Sequence, residues 1–298
     1  MFRSLDQKNF KILTALETRT DEVLTQREIA AMADLSVGTV NRTMTELHKR
    51  GFVCEGRLSE AGLAALEPYR VKRAVLVAAG FGSRLVPITL NTPKPLIRVH
   101  GQRIIDSLLD AVYAAGIDEV YVVRGYLAEQ FDQLLYKYPD LKFIENPFYN
   151  EANNISSAVA AKDLLQNAYV FESDLLLYNP KLVAKYQYAS NYLGVPVAVT
   201  DDWCFQTRRG LITGLSVGGT DCHHMFGVSY WTEEDGRKLA DDVVAAFAMP
   251  GGKERYWDEV PLRYFAHNYE VYVRECTFDD VIEIDTYREL QELDKAYA

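Results

Sequence analysis

Apolar and polar positions follow different patterns on either side of residue 70. Before that point, apolar residues recur at helical spacing, which predicts helices over residues 8–16, 27–33 and 37–50. Thr25 and Ser36 stand where the second and third of these helices need N-caps. The first part of the chain is therefore predicted to be a small helical domain.

A short hairpin over residues 52–58 and a further helix opening at residue 59 follow the third helix. This order of elements is typical of a winged helix-turn-helix, which has two helices, a tight turn, a third helix and a small hairpin. On this arrangement, residues 1–70 resemble the winged-helix domains of bacterial transcription regulators. DNA contact would then use the exposed face of the third helix, with Thr39, Asn41, Arg42 and Thr45.

Beyond residue 70, continuous apolar runs alternate with helical patterns. The runs are typical of strands buried on both faces and cover residues 71–79, 120–123, 141–144 and 168–172. Helical patterns between them cover residues 104–115, 127–136 and 155–165. Further strands are predicted over 195–200, 224–231 and 269–275, and further helices over 232–248 and 286–297. This alternation predicts an α/β fold over residues 71–298, a doubly wound, mostly parallel, Rossmann-like sheet preceded by the winged helix-turn-helix of residues 1–70.

Charge divides unevenly between the two predicted domains. The chain has 298 residues, with 32 basic and 42 acidic side chains and a formal net charge of −10. Residues 1–70 are neutral overall, so all of the net negative charge comes from residues 71–298. A general affinity of the protein for nucleic acid is thereby excluded, and the neutral winged helix is a weak candidate for DNA binding. Packing and homodimer formation are alternative roles for it.

Cysteine usage and hydropathy suggest a cytoplasmic protein. The four cysteines are scattered without a CxxC pair, which is typical of reduced thiols. The N-terminal residues 1–6 are too polar for a signal peptide. The longest apolar stretch, residues 74–82, is far shorter than the ~20 residues of a membrane helix. We expect no membrane partner.

A glycine-containing bend follows the first strand of the second domain. Gly80 and Gly82 allow backbone N–H groups to approach a phosphate chain, and Arg84 and Lys94 follow on the same loop. No GK[ST] follows, as a P-loop requires, and the third glycine of a dinucleotide fingerprint is missing. The pattern predicts a cationic cradle for a nucleoside triphosphate.

The stretch Leu76–Leu96 resembles the L-A-A-G-x-G-x-R-x-x-P-x-T…P-K-x-L signature of the nucleotidyltransferases that make nucleotide-sugars and CDP-alcohols, although Val77 interrupts it. Further segments of residues 71–298 resemble, in order, the bacterial CTP:phosphocholine cytidylyltransferases. These segments are 123–126, 149–157, 169–174, 226–231, 256–258 and 282–285. The winged helix lies outside this resemblance.

The resemblance implies CMP transfer from CTP to phosphocholine, giving CDP-choline and pyrophosphate. It implies catalytic roles for Lys94, Arg84 and Asp174, and a Mg²⁺ cofactor held by Asp174 and Asp285. Both aspartates end apolar strands, and most aspartates at such positions only cap a loop. Two carboxylates together with phosphate oxygens, however, are a normal set of ligands for Mg²⁺. The implied nucleotide-binding residues are Ala78, Ala79, Gly80, Phe81, Gly82, Ser83, Arg84, Gly125, Tyr126, Asn153 and Ser156.

A quaternary ammonium cannot donate hydrogen bonds and is held by aromatic faces and nearby carboxylates. We therefore predict acceptor contacts from Trp203, Asp202, Tyr256, Trp257 and Asp258. Alternative acceptors are 2-aminoethylphosphonate, phosphoethanolamine and a sugar 1-phosphate. A different alternative is a transcription regulator whose second domain only senses a nucleotide.

Overall fold

The computed structural model describes residues 5–19 and 23–298, so residues 1–4 of the polar N-terminal segment lie outside the described part. The chain forms two compact units. The first comprises the residues up to Arg70 together with Tyr186–Tyr188, and the second comprises Val71–Lys185 and Ala189–Ala298.

The first unit has the predicted winged helix-turn-helix architecture. Its elements are α1 (Gln7–Glu17), α2 (Gln26–Ala33), α3 (Val37–Lys49), β1 (Val53–Cys54), β2 (Arg57–Leu58) and α4 (Glu60–Leu66). The capping predictions are confirmed, since Thr25 and Glu28 form a reciprocal capping box and Ser36 accepts a backbone hydrogen bond from Thr39. On α3, Asn41, Arg42 and Thr45 are exposed, whereas Thr39 is half-buried.

The core of the first unit includes aromatic side chains from distant parts of the sequence. Tyr69 and Tyr188 stack with ring centroids 5.6 Å apart and planes 8° from parallel. Phe10 packs against both rings, at 5.0 and 5.3 Å. The segment Tyr186–Tyr188 therefore contributes an aromatic ring to the core of the winged helix.

The second unit is built on a seven-stranded sheet. The strands of the unit are, in chain order, β3 (Arg73–Val77), β4 (Arg98–Val99), β5 (Gln102–Arg103), β6 (Glu119–Arg124), β7 (Lys142–Glu145), β8 (Ala168–Glu172), β9 (Leu175–Leu177), β10 (Asn191–Arg208), β11 (Leu211–Trp231), β12 (Tyr272–Glu275) and β13 (Val281–Glu283). Its helices are α5 (Ile104–Ala114), α6 (Ile155–Ala160), α7 (Glu233–Ala248) and α8 (Tyr287–Leu293). The sheet order is β10-β12-β11-β8-β3-β6-β7, and β4–β5 and β9–β13 form separate pairs.

The strands β7, β6, β3 and β8 are parallel, as predicted for a doubly wound sheet. Ala74 and Leu76 pack into one cluster with α5, while Val75 joins a different cluster with Val123 and Ala161. Both faces of β3 are therefore covered, which explains the continuous apolar run of its sequence.

The C-terminal half departs from the predicted short strands. Residues 195–200 and 224–231 are parts of the long antiparallel ribbon β10–β11. Arg209 and Gly210, at φ 54° and 79°, make the two-residue turn that joins its strands.

Two predicted helices also differ from the structure. Residues 128–136 form a 3₁₀ helix, and the predicted helix 155–165 is divided into α6 and the 3₁₀ turn Lys162–Leu164. No helix within residues 5–19 and 23–298 is long and apolar enough to cross a membrane.

Candidate active site

A cleft of about 730 Å³ opens at the carboxyl ends of β3 and β8. This is the edge of an open α/β sheet at which ligands bind. Most of the predicted nucleotide-binding residues line it, namely Ala78, Ala79, Gly80, Phe81, Gly82, Ser83, Arg84, Asn153 and Ser156. The predicted catalytic and metal residues Lys94, Asp174 and Asp285 line it as well.

The bend after β3 is compact because glycine stands at its tightest position. Gly82 has φ 63°, in the left-handed region that favours glycine. A Cβ at this position would lie 3.0 Å from the Cβ of Lys94 and 3.1 Å from the Cγ2 of Thr89. The hydroxyl of Thr89 also donates to the carbonyl oxygen of Gly82, at 2.9 Å. The close approach brings the glycine bend and the lysine loop against each other.

Lys94 lies between the two predicted metal carboxylates. Its Nζ donates to Asp174 Oδ2 at 2.8 Å and to Asp285 Oδ1 at 2.9 Å. Burial works against the charge of this ammonium, but the carboxylates of Asp174 and Asp285 outweigh it, so the pKa of Lys94 is raised. Arg84 donates to the same Asp285 oxygen at 2.8 Å, from a side chain that is 65% exposed. Residues from distant parts of the sequence thus form one charged cluster.

Two further carboxylates, which the sequence analysis did not predict, join this cluster. Oxygens of Glu172, Asp174 and Glu283 lie within 4.8 Å of one another. Burial raises the pKa of Glu172, and the neighbouring charges of Asp258 and Asp174 raise it further. The pKa of Glu283 is raised in the same way, by burial and then by the charges of Asp174 and Asp285. The sequence contains a usable signal, because Glu172-Ser173-Asp174 and Glu283-Ile284-Asp285 share an E-x-D pattern at strand ends. In each pair the glutamate ends a strand and the aspartate follows two residues later, and in the structure Glu172 and Asp174 lie close together.

A divalent cation fits these residues. Asp174 Oδ1 is buried and has no hydrogen-bond partner within the described residues. Buried polar oxygens are normally satisfied, and carboxylate oxygens are the ligands that Mg²⁺ prefers. Asp174 and Asp285 both contact the same ammonium nitrogen, so they are close enough to approach one ion.

Another part of the cleft lining combines two aromatic rings with carboxylates. Trp203 and Tyr256 meet edge to face, with centroids 5.7 Å apart, and Asp202 lies beside them. Asp258 is only 4% exposed, and its carboxylate accepts a hydrogen bond from the hydroxyl of the buried Tyr192. Burial raises the pKa of Asp258 to about 7, although the Tyr192 hydrogen bond acts in the opposite direction.

The placement of Trp257 corrects one prediction. Its side chain is fully buried, and its ring packs against Tyr192 at 6.1 Å and Trp231 at 6.2 Å in the core. Trp257 does not line the cleft, so it cannot offer a face to an acceptor. Tyr256 and Asp258 on either side of it do line the cleft.

Gly125 and Tyr126 are not among the residues that line the cleft, and the nucleotide contacts predicted for them stay a prediction. A Cβ on Gly125 would come within 2.6 Å of the side chain of Tyr149, so the glycine makes room for that ring. The hydroxyl of Tyr126 donates to the Thr89 carbonyl at 2.8 Å, and its ring lies 4.6 Å from that of Phe81. Both residues support the bend from outside.

Comparison with known proteins agrees with this architecture. A family model described as nucleotidyl transferase matches residues 73–198, and one described as winged helix-turn-helix DNA-binding matches residues 5–53. The chain is 35% identical over 228 residues to the 2-aminoethylphosphonate cytidylyltransferase of Lancefieldella rimae, covering 75% of this chain and 92% of the relative. It is 29% identical to the choline-phosphate cytidylyltransferase of Haemophilus influenzae, over 71% of this chain and 91% of the relative.

A solved structure of CTP:phosphocholine cytidylyltransferase from Streptococcus pneumoniae is similar with a TM-score of 0.70 and 28% identity, covering 77% of this chain and 100% of that one. The inositol-1-phosphate CTP transferase of T. maritima, at 15% identity and a TM-score of 0.61, shares the fold. With a relative this similar over nearly its whole length, the chain belongs to the nucleotidyltransferase family, among its cytidylyltransferases, with a winged helix-turn-helix unit ahead of the catalytic one.

Proposed function

We propose that this chain transfers CMP from CTP to an acceptor that carries a phosphonate or phosphate group and a primary ammonium, with 2-aminoethylphosphonate as the preferred acceptor. The observation that supports this choice is the excess of carboxylates over aromatic rings in the cleft lining outside residues 78–84. The rings of this lining are Tyr149, Trp203 and Tyr256, whereas its carboxylates other than the proposed metal ligands are Glu172, Asp202, Asp258, Glu259 and Glu283. A primary ammonium donates three hydrogen bonds to such groups, and a quaternary ammonium donates none. The 2-aminoethylphosphonate activity of the Lancefieldella rimae relative supports the same choice.

The nucleotide half of the cleft would hold the triphosphate. Backbone N–H groups of residues 80–83 and the guanidinium of Arg84 bind phosphate oxygens, and the cytidine lies over Ala78 and Ala79. Lys94 contacts the α-phosphate and the incoming oxygen, where its positive charge stabilises the negative charge that develops in the transition state.

An oxygen of the acceptor phosphonate attacks the α-phosphorus of CTP in line. The acceptor oxygen forms a bond to the α-phosphorus and so completes a P–O–P linkage. The bond from the α-phosphorus to the oxygen that bridges it to the β-phosphorus breaks, and pyrophosphate leaves. No covalent enzyme intermediate is needed, so positioning and charge neutralisation supply the rate. Asp174 and Asp285 would hold Mg²⁺, with Glu172 and Glu283 next to them. When bound, the ion neutralises phosphate charge.

An acceptor screen tests the proposal. Pyrophosphate release is measured with CTP, Mg²⁺ and, in turn, 2-aminoethylphosphonate, phosphoethanolamine, phosphocholine and glucose 1-phosphate. We expect kcat/KM to be highest for 2-aminoethylphosphonate. A tenfold preference for phosphocholine would contradict the primary-amine assignment, and no release with any acceptor would favour a domain that only senses a nucleotide.

Phosphocholine is the second candidate acceptor, and the Trp203–Tyr256 pair favours it, because two aromatic faces can partly enclose a quaternary ammonium. Trp203→Ala separates the two candidates. If choline binds there, this change lowers kcat/KM for phosphocholine about tenfold and leaves 2-aminoethylphosphonate nearly unchanged.

A second function, DNA binding, is proposed for the winged helix unit. Asn41, Arg42 and Thr45 form an exposed polar face on α3, and Arg57 is exposed on the hairpin. Selection of the full-length protein on a random-sequence duplex library, followed by anisotropy titration of the selected duplex at two salt concentrations, tests it. Arg42→Ala should weaken binding at least tenfold. Failure to enrich any sequence would contradict it.

A further inference from the structure

Asn154 lies at the start of α6 and lines the cleft, yet it is not among the residues that the sequence predicted. Its side-chain amide makes two hydrogen bonds in different directions. Nδ2 donates to Glu172 Oε1 at 3.1 Å, and Oδ1 accepts from the backbone N–H of Trp257 at 2.9 Å. One amide group therefore joins the end of β8 to the segment 256–259.

Glu172 is held on a second side by the facing strand β11. A Cβ on Gly227 would lie 2.5 Å from Glu172 Cγ and from its Oε2. Only a glycine leaves room for the glutamate side chain there, since real Cβ atoms do not approach so closely. Packing against Gly227 and the hydrogen bond from Asn154 together fix the direction of the carboxylate.

The segment that Asn154 contacts carries the acceptor-side groups Tyr256, Asp258 and Glu259. The preceding residue strengthens the connection. The backbone N–H of Asn153 donates to the carbonyl of Lys253 at 2.7 Å, and its side chain donates to that of Glu254 at 3.2 Å. The two asparagines therefore hold residues 253–257 against the start of α6.

We infer that Asn154 is a positioning residue for acceptor specificity: its amide fixes Glu172 relative to Asp258, so that carboxylates from two separate elements receive one ammonium group. Without the amide, Glu172 and the segment that carries Asp258 lose the hydrogen bonds that join them. Both hydrogen bonds of the Asn154 side chain are made to residues outside the bend of residues 80–83, so we expect its loss to affect acceptor recognition more than CTP binding. The inference depends on the proposed amine-bearing acceptor.

The test compares two acceptors that differ only in the amino group, 2-aminoethylphosphonate and ethylphosphonate. The ratio of their kcat/KM values measures recognition of the ammonium. We expect Asn154→Ala to lower this ratio about tenfold, the equivalent of one hydrogen bond to a charged group, and to change KM for CTP less than threefold. A merely structural role would lower kcat/KM for both acceptors by the same factor.

Asn179 is a matched control outside the cleft. Its amide also makes one donated and one accepted bond, to Asp280 Oδ1 at 2.7 Å and from the Lys181 N–H at 3.1 Å. Asn179→Ala should leave the ratio unchanged. Asn154→Asp is nearly isosteric, keeps the acceptor for Trp257, and replaces the donor to Glu172 with a carboxylate oxygen. It should lower the ratio at least as much as the alanine.

An unchanged ratio in Asn154→Asp, or in a folded Asn154→Ala, overturns the inference. A wild-type enzyme that uses no amine-bearing acceptor overturns the proposed function instead. Because the wild-type measurement is made first, the two failures are distinguishable.

Discussion

The two halves of the cleft are built in different ways. Most of the residues proposed to bind the nucleotide come from one continuous stretch, in which the bend at Gly80–Gly82 and the turn at Lys94 pack against each other. Asn153 and Ser156 join them from around the start of α6. The acceptor half is assembled from separate segments, which carry Glu172, Trp203, Asp258 and Glu283. On the proposed function, recognition of the triphosphate depends mainly on a local motif, whereas recognition of the acceptor depends on tertiary structure.

The two halves also differ in charge. Arg84 and Lys94 lie in the nucleotide half, where they pair with the carboxylates of Asp174 and Asp285. The acceptor half contains Glu172, Asp258 and other acids. On the proposed function, the cations attract the polyanionic nucleotide and the acids attract the ammonium of the acceptor, which orients both substrates before the reaction.

The largest expected effect is in the nucleotide half. Lys94→Ala should lower kcat about 10³-fold, because it removes the buried positive charge that stabilises the transition state. Steady-state pyrophosphate release measures the loss, and circular dichroism verifies the fold. Lys137→Ala, which removes a surface ion pair with Asp110, is the control. An unchanged kcat in Lys94→Ala would show that Lys94 has no part in catalysis.

Asp174→Asn should lower activity about 10²-fold and weaken Mn²⁺ binding, since it replaces a carboxylate that is close to Glu172 and Glu283. Mn²⁺ titration followed by electron paramagnetic resonance measures binding independently of turnover. Asp163→Asn removes a surface partner of Lys162 and should change neither quantity. Full activity of the wild type in excess EDTA would eliminate the metal from the mechanism.

Asp258→Asn addresses the acceptor half. The amide oxygen can still accept from Tyr192, but the charge is lost, so KM for the acceptor should rise about tenfold while KM for CTP stays constant. Asp242→Asn is the matched control, because Asp242 also accepts from a tyrosine hydroxyl, that of Tyr269 at 2.6 Å. Equal changes in both KM values would contradict the division of the cleft into two halves.

The smallest effect is expected from backbone strain at the bend. Gly82→Ala should destabilise the fold by about 1–2 kcal/mol, because an alanine is disfavoured at this φ, and should also raise KM for CTP through the contact with Lys94. Gly116→Ala has a similar φ of 72° with open space around the added Cβ, so it should lose stability without a change in KM. Thermal unfolding and CTP kinetics separate the two effects.

This contrast explains how far the sequence could predict the molecule. The parallel strands, the capped helices of the winged unit and the phosphate bend are encoded locally, and the structure has each of them. The roles of individual aromatic residues are not encoded locally. Trp257 faces the core while Tyr256 and Asp258 face the cleft, a difference that depends on tertiary packing.

Long-range contacts account for the other omissions. Glu172 and Glu283 are brought together by the pairing of β9 with β13, in which Glu283 stands opposite Leu175. Asn154 acquires its role only through partners at positions 172 and 257. The repeated E-x-D pattern could have indicated the acids. Asn154 lies in the segment 149–157 that resembles the family, but its two long-range hydrogen bonds are visible only in the structure.

The stacking of Tyr188 on Tyr69 has a practical consequence for anyone who divides this protein for experiments. A fragment that stops at Arg70 omits an aromatic ring against which Phe10 also packs. Such a fragment lacks part of its hydrophobic core, so a loss of folding or of DNA binding in it would be caused by the truncation. Assays of nucleic-acid affinity are therefore best made with the intact polypeptide.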